Sequence, residues 1–199
     1  MKPASCFFSL FLFFFTFHVI TTSSLNLNSI YDTCKICAKD EPNPNEKLSL
    51  CKTSIDESIK HLNQEEKAEV TRRFVGKNIT RILKSNVNET MKHIQGLLGN
   101  KKVNNNAAMT TCLQNCLELH KDVAKPSMGK VLKYLQTKNY QEAMVEISAV
   151  MNVPIVCEDG FKDMNGLASP LANRNGRTFQ LGSLALCFLD VIQGEKALN

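Results

Sequence analysis

Residues 64–98 read QEEKAEVTRRFVGKNITRILKSNVNETMKHIQGLL, and their apolar side chains recur every three to five residues. The apolar positions are Val75, Ile79, Ile82, Val87, Met91, Ile94 and Leu98. This period places them along one face of an α-helix, which would be about 50 Å long at about 1.5 Å per residue. A helix with one long apolar face needs other elements to cover it, so this stretch predicts a helical bundle.

Similar spacing predicts three further helices, over residues 107–135, 139–152 and 178–193. We expect Pro126 to kink or break the second helix and Pro154 to end the third, because proline lacks the backbone N–H that a helix interior requires. The Asn-, Gly- and Pro-rich segment 165–177 is predicted to be a surface loop. Four amphipathic helices cover one another best as an antiparallel four-helix bundle, which gives an all-α fold.

The chain before the bundle contains short helical pieces interrupted at 41–45, which read Glu-Pro-Asn-Pro-Asn and predict a loop. Cys34 and Cys51 flank this loop. A bond between them would hold together a hairpin that is too small for a core of its own. We therefore expect an N-terminal helical hairpin over about 28–62, followed by the bundle over about 63–196.

The first 24 residues have the three parts of a secretory signal peptide. Met1 and Lys2 give a short basic start, 7–20 is almost entirely apolar, and the small residues 22–24 suit a cleavage site. An apolar stretch of about 14 residues is too short for a membrane span, which needs roughly 20. We expect cleavage near Ser24, which leaves 175 residues as one secreted domain that is not held in a membrane.

Charge and composition exclude several classes of function. The chain has 24 basic and 19 acidic side chains, and removal of Lys2 with the signal peptide leaves 23 basic residues and a net charge of +4. This mild excess is spread along the chain and forms no nucleic-acid-binding tract. It would suit an acidic polysaccharide environment, although a solvated basic surface is the interpretation we favour.

Seven cysteines remain after removal of Cys6: Cys34, Cys37, Cys51, Cys112, Cys116, Cys157 and Cys187. In an oxidising secretory route most of them should pair, and the odd number leaves a free thiol or an intermolecular bond. Zinc binding by the closely spaced cysteines is the competing interpretation. The secreted context and the lack of suitably spaced histidines argue against it, so we expect neither metal nor cofactor.

No catalytic motif of the His-Glu-x-x-His, Gly-x-Ser-x-Gly, phosphate-loop or dinucleotide type occurs in residues 25–199. The histidines His61, His93 and His120 lie among charged residues, where we expect them to be solvated. Cys116 and His120 have the spacing of a thiol–base pair, but a disulfide is the more credible role for Cys116. The sequence therefore favours a protein that binds another protein over an enzyme.

Two sequons for N-linked glycosylation lie in the first bundle helix, at Asn78-Ile79-Thr80 and Asn88-Glu89-Thr90. The signal peptide would expose both to the glycosylation machinery. We expect sugar on Asn78 or Asn88.

Four segments resemble the plant invertase and pectin methylesterase inhibitor family. They are Ile30-Tyr31-Asp32-Thr33-Cys34-Lys35, Leu50-Cys51-Lys52-Thr53-Ser54-Ile55, Asn115-Cys116-Leu117-Glu118-Leu119-His120-Lys121-Asp122 and Val156-Cys157-Glu158-Asp159-Gly160-Phe161-Lys162. The turn from Leu135 to Tyr140 is similar as well, and 81–85 with 166–170 resemble the branch that includes pollen allergens described as invertase inhibitors. The resemblance covers about 30–195.

The resemblance implies a four-helix bundle with a helical hairpin extension and two disulfides, Cys34–Cys51 and Cys116–Cys157. It leaves the pairing of Cys37, Cys112 and Cys187 open. It also implies secretion to the apoplast and cell wall, with the vacuole as the other destination, and a 1:1 complex with pectin methylesterase or invertase.

The residues at the contact positions of the two inhibitor types suggest which enzyme is the target. Tyr140-Gln141-Glu142 stands where invertase inhibitors have Pro-Lys-Phe, which argues against the usual contact with invertase. Glu118, Asp122 and Asp159 match acidic positions of pectin methylesterase inhibitors, whereas Lys125 replaces a fourth acid. The resemblance therefore implies an inhibitor of pectin methylesterase that uses these three acids as contacts. An invertase inhibitor and a non-inhibitory, allergen-like protein are the alternatives.

Overall fold

The computed structural model describes residues 27–39, 41–164 and 167–197, so the expected signal peptide lies outside the described residues. The helices are α1 (Leu27–Ala38), α2 (Pro44–Ile59), α3 (Gln64–Ala68), α4 (Arg72–Leu98), α5 (Lys101–Asn104), α6 (Ala107–Leu119), a π-helical turn (His120–Ala124), α7 (Lys125–Gln136), α8 (Tyr140–Asp163) and α9 (Ala172–Ala197). None of the helices in these ranges combines the length and apolarity that crossing a bilayer would need.

The bundle consists of α4, the rod formed by α6 and α7, α8, and α9, which pack around one apolar core. The apolar face predicted along residues 75–98 is largely buried, with Val75, Ile79, Val87 and Ile94 inaccessible to solvent. Only three residues separate α7 from α8, a connection that makes the two helices antiparallel neighbours. The predicted all-α bundle with an N-terminal hairpin is confirmed.

The stretch 64–98 is two helices, and the prediction of one was wrong at its start. A capping box begins α3, because the Asn63 side chain accepts from the Glu66 N–H while Glu66 accepts from the Asn63 N–H. Thr71 then caps α4 by accepting from the Phe74 N–H at 3.2 Å. Strong caps at both points start two helices where apolar spacing alone suggested one.

Of the kink or break predicted at Pro126, the break does not occur. The chain stays helical from Ala107 to Gln136, with a π-helical turn just before the proline in which the Lys125 N–H bonds to the His120 carbonyl. Pro126 lies in the first turn of α7, where a missing N–H costs little. The wider turn absorbs the proline, as π turns inside α-helices commonly absorb an irregularity.

Pro154 does not end its helix either, because α8 continues through it to Asp163. Pro154 is buried, as are Val150 and Val153, so apolar packing offsets one lost hydrogen bond. The predicted loop 165–177 is also too long, since α9 begins at Ala172. Similarly, the hairpin loop ends earlier than predicted, because Pro44 starts α2.

The hairpin α1–α2 is fastened to the bundle by both covalent and polar bonds. The pairs Cys34–Cys51 and Cys116–Cys157 agree with the family pattern, and Cys37–Cys187 is an additional bond from α1 to α9. Cys112 remains a buried free thiol. These findings complete the pairing that the sequence left open.

Beside the additional disulfide, Lys47 of α2 is only 3% exposed. Its ammonium group donates to Glu41 at 2.8 Å and to Ser183 of α9 at 2.6 Å. Ser183 donates in turn to Glu41 at 2.9 Å, which closes a three-membered polar network between hairpin and bundle.

Candidate protein-binding surface

Large apolar side chains that remain exposed are concentrated, within the described ranges, on the second half of α8 and the start of α9. They are Ile155 (44% exposed), Val156 (53%), Met164 (42%) and Phe179 (38%), with Val145 and Ile36 lying elsewhere. Single exposed apolar residues are ordinary on soluble proteins, but a cluster marks a candidate interaction surface. We call the region around these four residues the α8 surface.

One groove of the α8 surface runs between α8 and α9, and we call it the α8–α9 groove. Its lining residues are Pro154, Ile155, Glu158, Asp159, Lys162, Ala172, Asn175, Gly176 and Phe179. The Glu158 carboxylate is held in place, because its Oε1 accepts from Ser169 at 2.8 Å and from Asn175 at 2.6 Å. The groove therefore combines apolar walls with an oriented negative charge.

A second groove lies on the other side of α8, against α6, and we call it the α6–α8 groove. Its lining residues are Cys112, Asn115, Cys116, Leu119, Val156, Cys157, Asp159, Gly160 and Asp163. The Cys116–Cys157 disulfide joins the two helices here. The Cys112 thiol donates to the Gly160 carbonyl at 3.4 Å, and burial raises its pKa, so this thiol stays protonated and unreactive.

Of the three predicted contact acids, Asp159 is exposed and lines both grooves. Its carboxylate forms an ion pair with the ammonium group of Lys162 at 2.9 Å. Glu118 and Asp122 are exposed as well, but neither lines the α8–α9 groove or the α6–α8 groove. Asp122 lies in the π-helical turn, so these two acids lack the regular α spacing that the sequence suggested. Asp159 shares the lining of the α6–α8 groove with Asn115 and Leu119 of α6.

His120 is buried, and the expectation of a solvated side chain was wrong for it. It is inaccessible to solvent, its Nδ1 lies 2.9 Å from the Cys116 carbonyl, and its Nε2 has no partner in the described structure. Burial lowers the pKa of His120 below its ordinary value. The π-helical turn places this residue inside, whereas His61 is exposed and His93 half-buried.

The two sequons lie on α4 with their asparagines partly exposed. The threonines point the other way: Thr80 donates to the Gly76 carbonyl at 2.9 Å and Thr90 to the Asn86 carbonyl at 2.8 Å, both in the buried interior. Sugar on either asparagine would have to be added before these threonines are buried.

Among the residues that line the α8–α9 groove, the sequence predicts only Asp159 as a contact. Glu158 is next to Asp159 in a segment that resembles the family, but the resemblance assigns it no contact. Gly176 falls in the predicted loop 165–177, whereas the structure places it on α9 with Phe179. The groove exists only where α8 and α9 meet, so apolar spacing along either helix does not indicate it.

The family model described as plant invertase/pectin methylesterase inhibitor matches residues 28–188. The chain belongs to this family. It is 28% identical over 189 residues to the "Putative invertase inhibitor" of Platanus acerifolia, an alignment that covers 93% of this chain and 97% of that protein. It is 31% identical over 80 residues, or 45% of the relative, to "Pectinesterase inhibitor 12" of Arabidopsis thaliana.

Solved structures with the same fold include two pectin methylesterase inhibitors from Arabidopsis. A mutant form matches with a TM-score of 0.61 over 80% of this chain and 95% of that chain. The second matches with a TM-score of 0.54 over 80% of this chain and 94% of that chain. Both are 16% identical to this chain, so they show the fold alone. The family resemblance drawn from the cysteine motifs is confirmed.

Proposed function

We propose that this inhibitor-family protein binds a pectin methylesterase in a 1:1 complex and blocks its active-site cleft. The observation that carries the proposal is the α8 surface, where exposed Val156 and Asp159 line one groove together with the Cys116–Cys157 disulfide, and exposed Ile155 and Phe179 line the neighbouring groove. A surface held by a covalent bond between two helices is already ordered before it binds, which lowers the entropy lost on association.

The three acids Glu118, Asp122 and Asp159 are proposed contacts on this surface. All three are exposed and lie on α8 or on the rod beside it. Exposed charges of one sign attract a partner of opposite charge, and they raise the rate and the selectivity of association more than the final affinity. We propose that they select a target whose cleft rim is basic.

Secretion is part of the same proposal. Three disulfides within the described residues are typical of an oxidising compartment, and residues 1–24 have the pattern of a signal peptide. We propose that the mature domain 25–199 acts in the cell wall, that the vacuole is the other destination, and that Asn78 or Asn88 carries sugar.

Inhibition of invertase is the second candidate, because the relative aligned along nearly the whole chain is named an invertase inhibitor. The start of α8 argues against the usual mode. Tyr140 is buried there and only Gln141 and Glu142 are exposed, in place of the Pro-Lys-Phe motif. A non-inhibitory protein of the same fold is the third candidate.

One titration separates the three candidates. The secreted, fully oxidised protein is added to a pectin methylesterase and, separately, to an acid invertase, at several pH values. Loss of only the esterase activity supports the proposal, and loss of only invertase activity supports the second candidate. Full activity of both enzymes at micromolar inhibitor would support the third candidate and reject inhibition.

The acidic contacts have their own test. Asp122→Lys should weaken inhibition of the esterase at least tenfold, because it places a like charge against a basic rim. Glu57→Lys on α2 is the matched control, since Glu57 is equally exposed and the change in charge is the same. Equal inhibition by both variants would remove Asp122 from the contact surface.

A further inference from the structure

We propose that the α8–α9 groove receives a basic side chain, best an arginine, of the inhibited enzyme. This inference rests on the proposed function and names the chemistry of one contact within it. The groove is not lined by Glu118 or Asp122, so it is a separate site from most of the acidic contacts described above.

The walls of the groove suit the aliphatic part of a long side chain. Pro154 and Ile155 line it from α8, and Phe179 lines it from α9. Ile155 and Phe179 remain 44% and 38% exposed although they face a concave surface. Arginine and lysine bury their methylene stems along apolar surface of this kind while the charged head reaches a polar group, and arginine also stacks on an aromatic ring.

The charged head would meet Glu158. Both Ser169 and Asn175 donate to Oε1 of Glu158, which fixes the plane of the carboxylate. No described residue donates to Oε2 of the same carboxylate. An oriented carboxylate with one oxygen still available is suited to a charge-assisted hydrogen bond, which is stronger than a neutral one.

A second hydrogen-bond acceptor belongs to a residue that lines the same groove. Asn175 is 1% exposed and lines the groove, and its Oδ1 has no hydrogen-bond partner in the described structure. Buried polar atoms without a partner are uncommon and call for an explanation. A guanidinium carries five N–H donors, enough for Glu158 and for this oxygen.

The charges that line the groove favour a cation. They are Glu158, Asp159 and Lys162, with a net charge of −1. Lys162 pairs with Asp159 rather than with Glu158, and the side chains of that pair are 73% and 56% exposed. An exposed pair of this kind is weak, so Lys162 can turn away when a partner approaches.

The size of the groove suits a single inserted side chain. Its volume is about 270 Å³, below the roughly 300–1,000 Å³ of pockets that hold drug-sized ligands. Asp159 lines both this groove and the α6–α8 groove, so a protein docked across α8 would cover both. One inserted side chain would act as an anchor at the edge of the interface.

Filling the groove tests the inference without disturbing the fold. A Cβ added at Gly176 meets no atom within 4 Å, so Gly176→Leu should fold normally while its side chain occupies the groove. Gly194→Leu is the matched control, because Gly194 lies on the same helix, is exposed, and is equally free of neighbours. We expect Gly176→Leu to raise the inhibition constant at least tenfold and Gly194→Leu to leave it within twofold.

Glu158→Gln tests the charge separately from the space. The glutamine oxygen can still accept from Ser169 and Asn175, so the local structure is kept while the negative charge is lost. We expect inhibition to weaken about tenfold and its dependence on salt concentration to decrease. Melting temperatures equal to that of the wild type, measured for every variant, would show that folding is intact.

The outcomes are distinguishable. If the wild-type protein inhibits neither enzyme, the proposed function fails and this inference fails with it. If the wild type inhibits and Gly176→Leu inhibits equally well, the function stands and the groove is not a contact. If Gly176→Leu weakens inhibition but Glu158→Gln does not, the groove binds an apolar group, and the basic side chain is rejected.

Discussion

The hairpin and the bundle are held in place by different kinds of interaction. The bundle is closed by apolar side chains spread along whole helices, so its stability is shared among many residues. The hairpin α1–α2 adds a few apolar residues such as Ile30 and Ile55 to the same core. Specific bonds also tie it to the bundle: the disulfide Cys37–Cys187, the network of Lys47 with Glu41 and Ser183, and hydrogen bonds from Arg72 to Ser29 and Thr33 and from Gln180 to Glu46. A small unit without a full core depends on a few bonds. It should therefore fail at those bonds, whereas the bundle should fail through changes in volume or protonation.

The largest effect is expected from the double variant Cys37→Ser, Cys187→Ser. This bond spans 150 residues, and a cross-link of that length stabilises the folded state by about 4–5 kcal/mol in the chain-entropy model. Chemical denaturation would measure the loss. Opening Cys34–Cys51, which spans 17 residues, should cost about 3 kcal/mol. An equal loss for both pairs would contradict the dependence on loop length.

Lys47→Met should give the next largest effect. The methionine keeps the apolar stem but leaves Glu41 without its ammonium partner, at a cost of about 2–3 kcal/mol. Lys35→Met is the control, because the Lys35–Asp32 pair is 70% and 60% exposed and should contribute less than about 0.5 kcal/mol. Faster hydrogen exchange in α2 alone would show that the hairpin has loosened; equal stability of the two variants would contradict this role for Lys47.

Gly182→Val should destabilise the bundle by overpacking the contact between α8 and α9. A Cβ at Gly182 would overlap Cγ and Sδ of the Met151 side chain, so either that side chain must shift or α8 and α9 must separate slightly. Overpacking of this kind costs about 1–3 kcal/mol. Gly176→Val, six residues earlier on the same helix, meets no neighbour and should cost nothing. Equal melting temperatures for the two variants would contradict close packing at Gly182.

The smallest expected effect is a difference in the pH at which the bundle and the hairpin attachment lose stability. Burial lowers the pKa of His120, so the folded state binds its proton less readily than the unfolded state. Stability is then complete above the ordinary value of 6.5 and falls below it, by at most about 1.4 kcal/mol per pH unit. The hydrogen bond from Lys47 lowers the pKa of Glu41, and that contribution is lost only below the ordinary value of 4.5.

Hydrogen exchange measured between pH 3.5 and 7.5 would separate the two regions. The bundle around His120 should loosen first as the pH falls, and the attachment of the hairpin should follow at lower pH. His120→Gln should remove the first transition and leave the second. If both regions loosen together near pH 4.5, the buried histidine does not govern the bundle.

The bundle could be predicted because apolar spacing is strong over long helices, as between Val75 and Ile94. The two prolines could not be interpreted from sequence, since a π-helical turn and interhelical packing absorb Pro126 and Pro154. Both are tertiary effects that local propensity does not contain. The same limit applies to His120, which looked solvated among charged neighbours until the π-helical turn placed it inside.

For the candidate site, Asp159 and the disulfide beside it could be predicted, because both belong to a motif shared with the family. The α8–α9 groove could not be predicted. That groove is formed by residues from two helices that meet only in the folded chain, and the beginning of α9 was predicted as loop. The hydrogen bond from Lys47 to Ser183 could not be predicted either, because the two residues are 136 positions apart in the sequence.

The bond between Cys37 and Cys187 also sets an order for biosynthesis. Ribosomes add about 5–20 residues per second, so Cys37 emerges roughly 8–30 seconds before its partner is made. Cys34 and Cys51 are synthesised close together and can pair during this interval. Cys37 must stay reduced, or be released from a wrong partner, until the last helix arrives. Secretory cells that lack an efficient disulfide isomerase should therefore accumulate chains with a misplaced bond at Cys37.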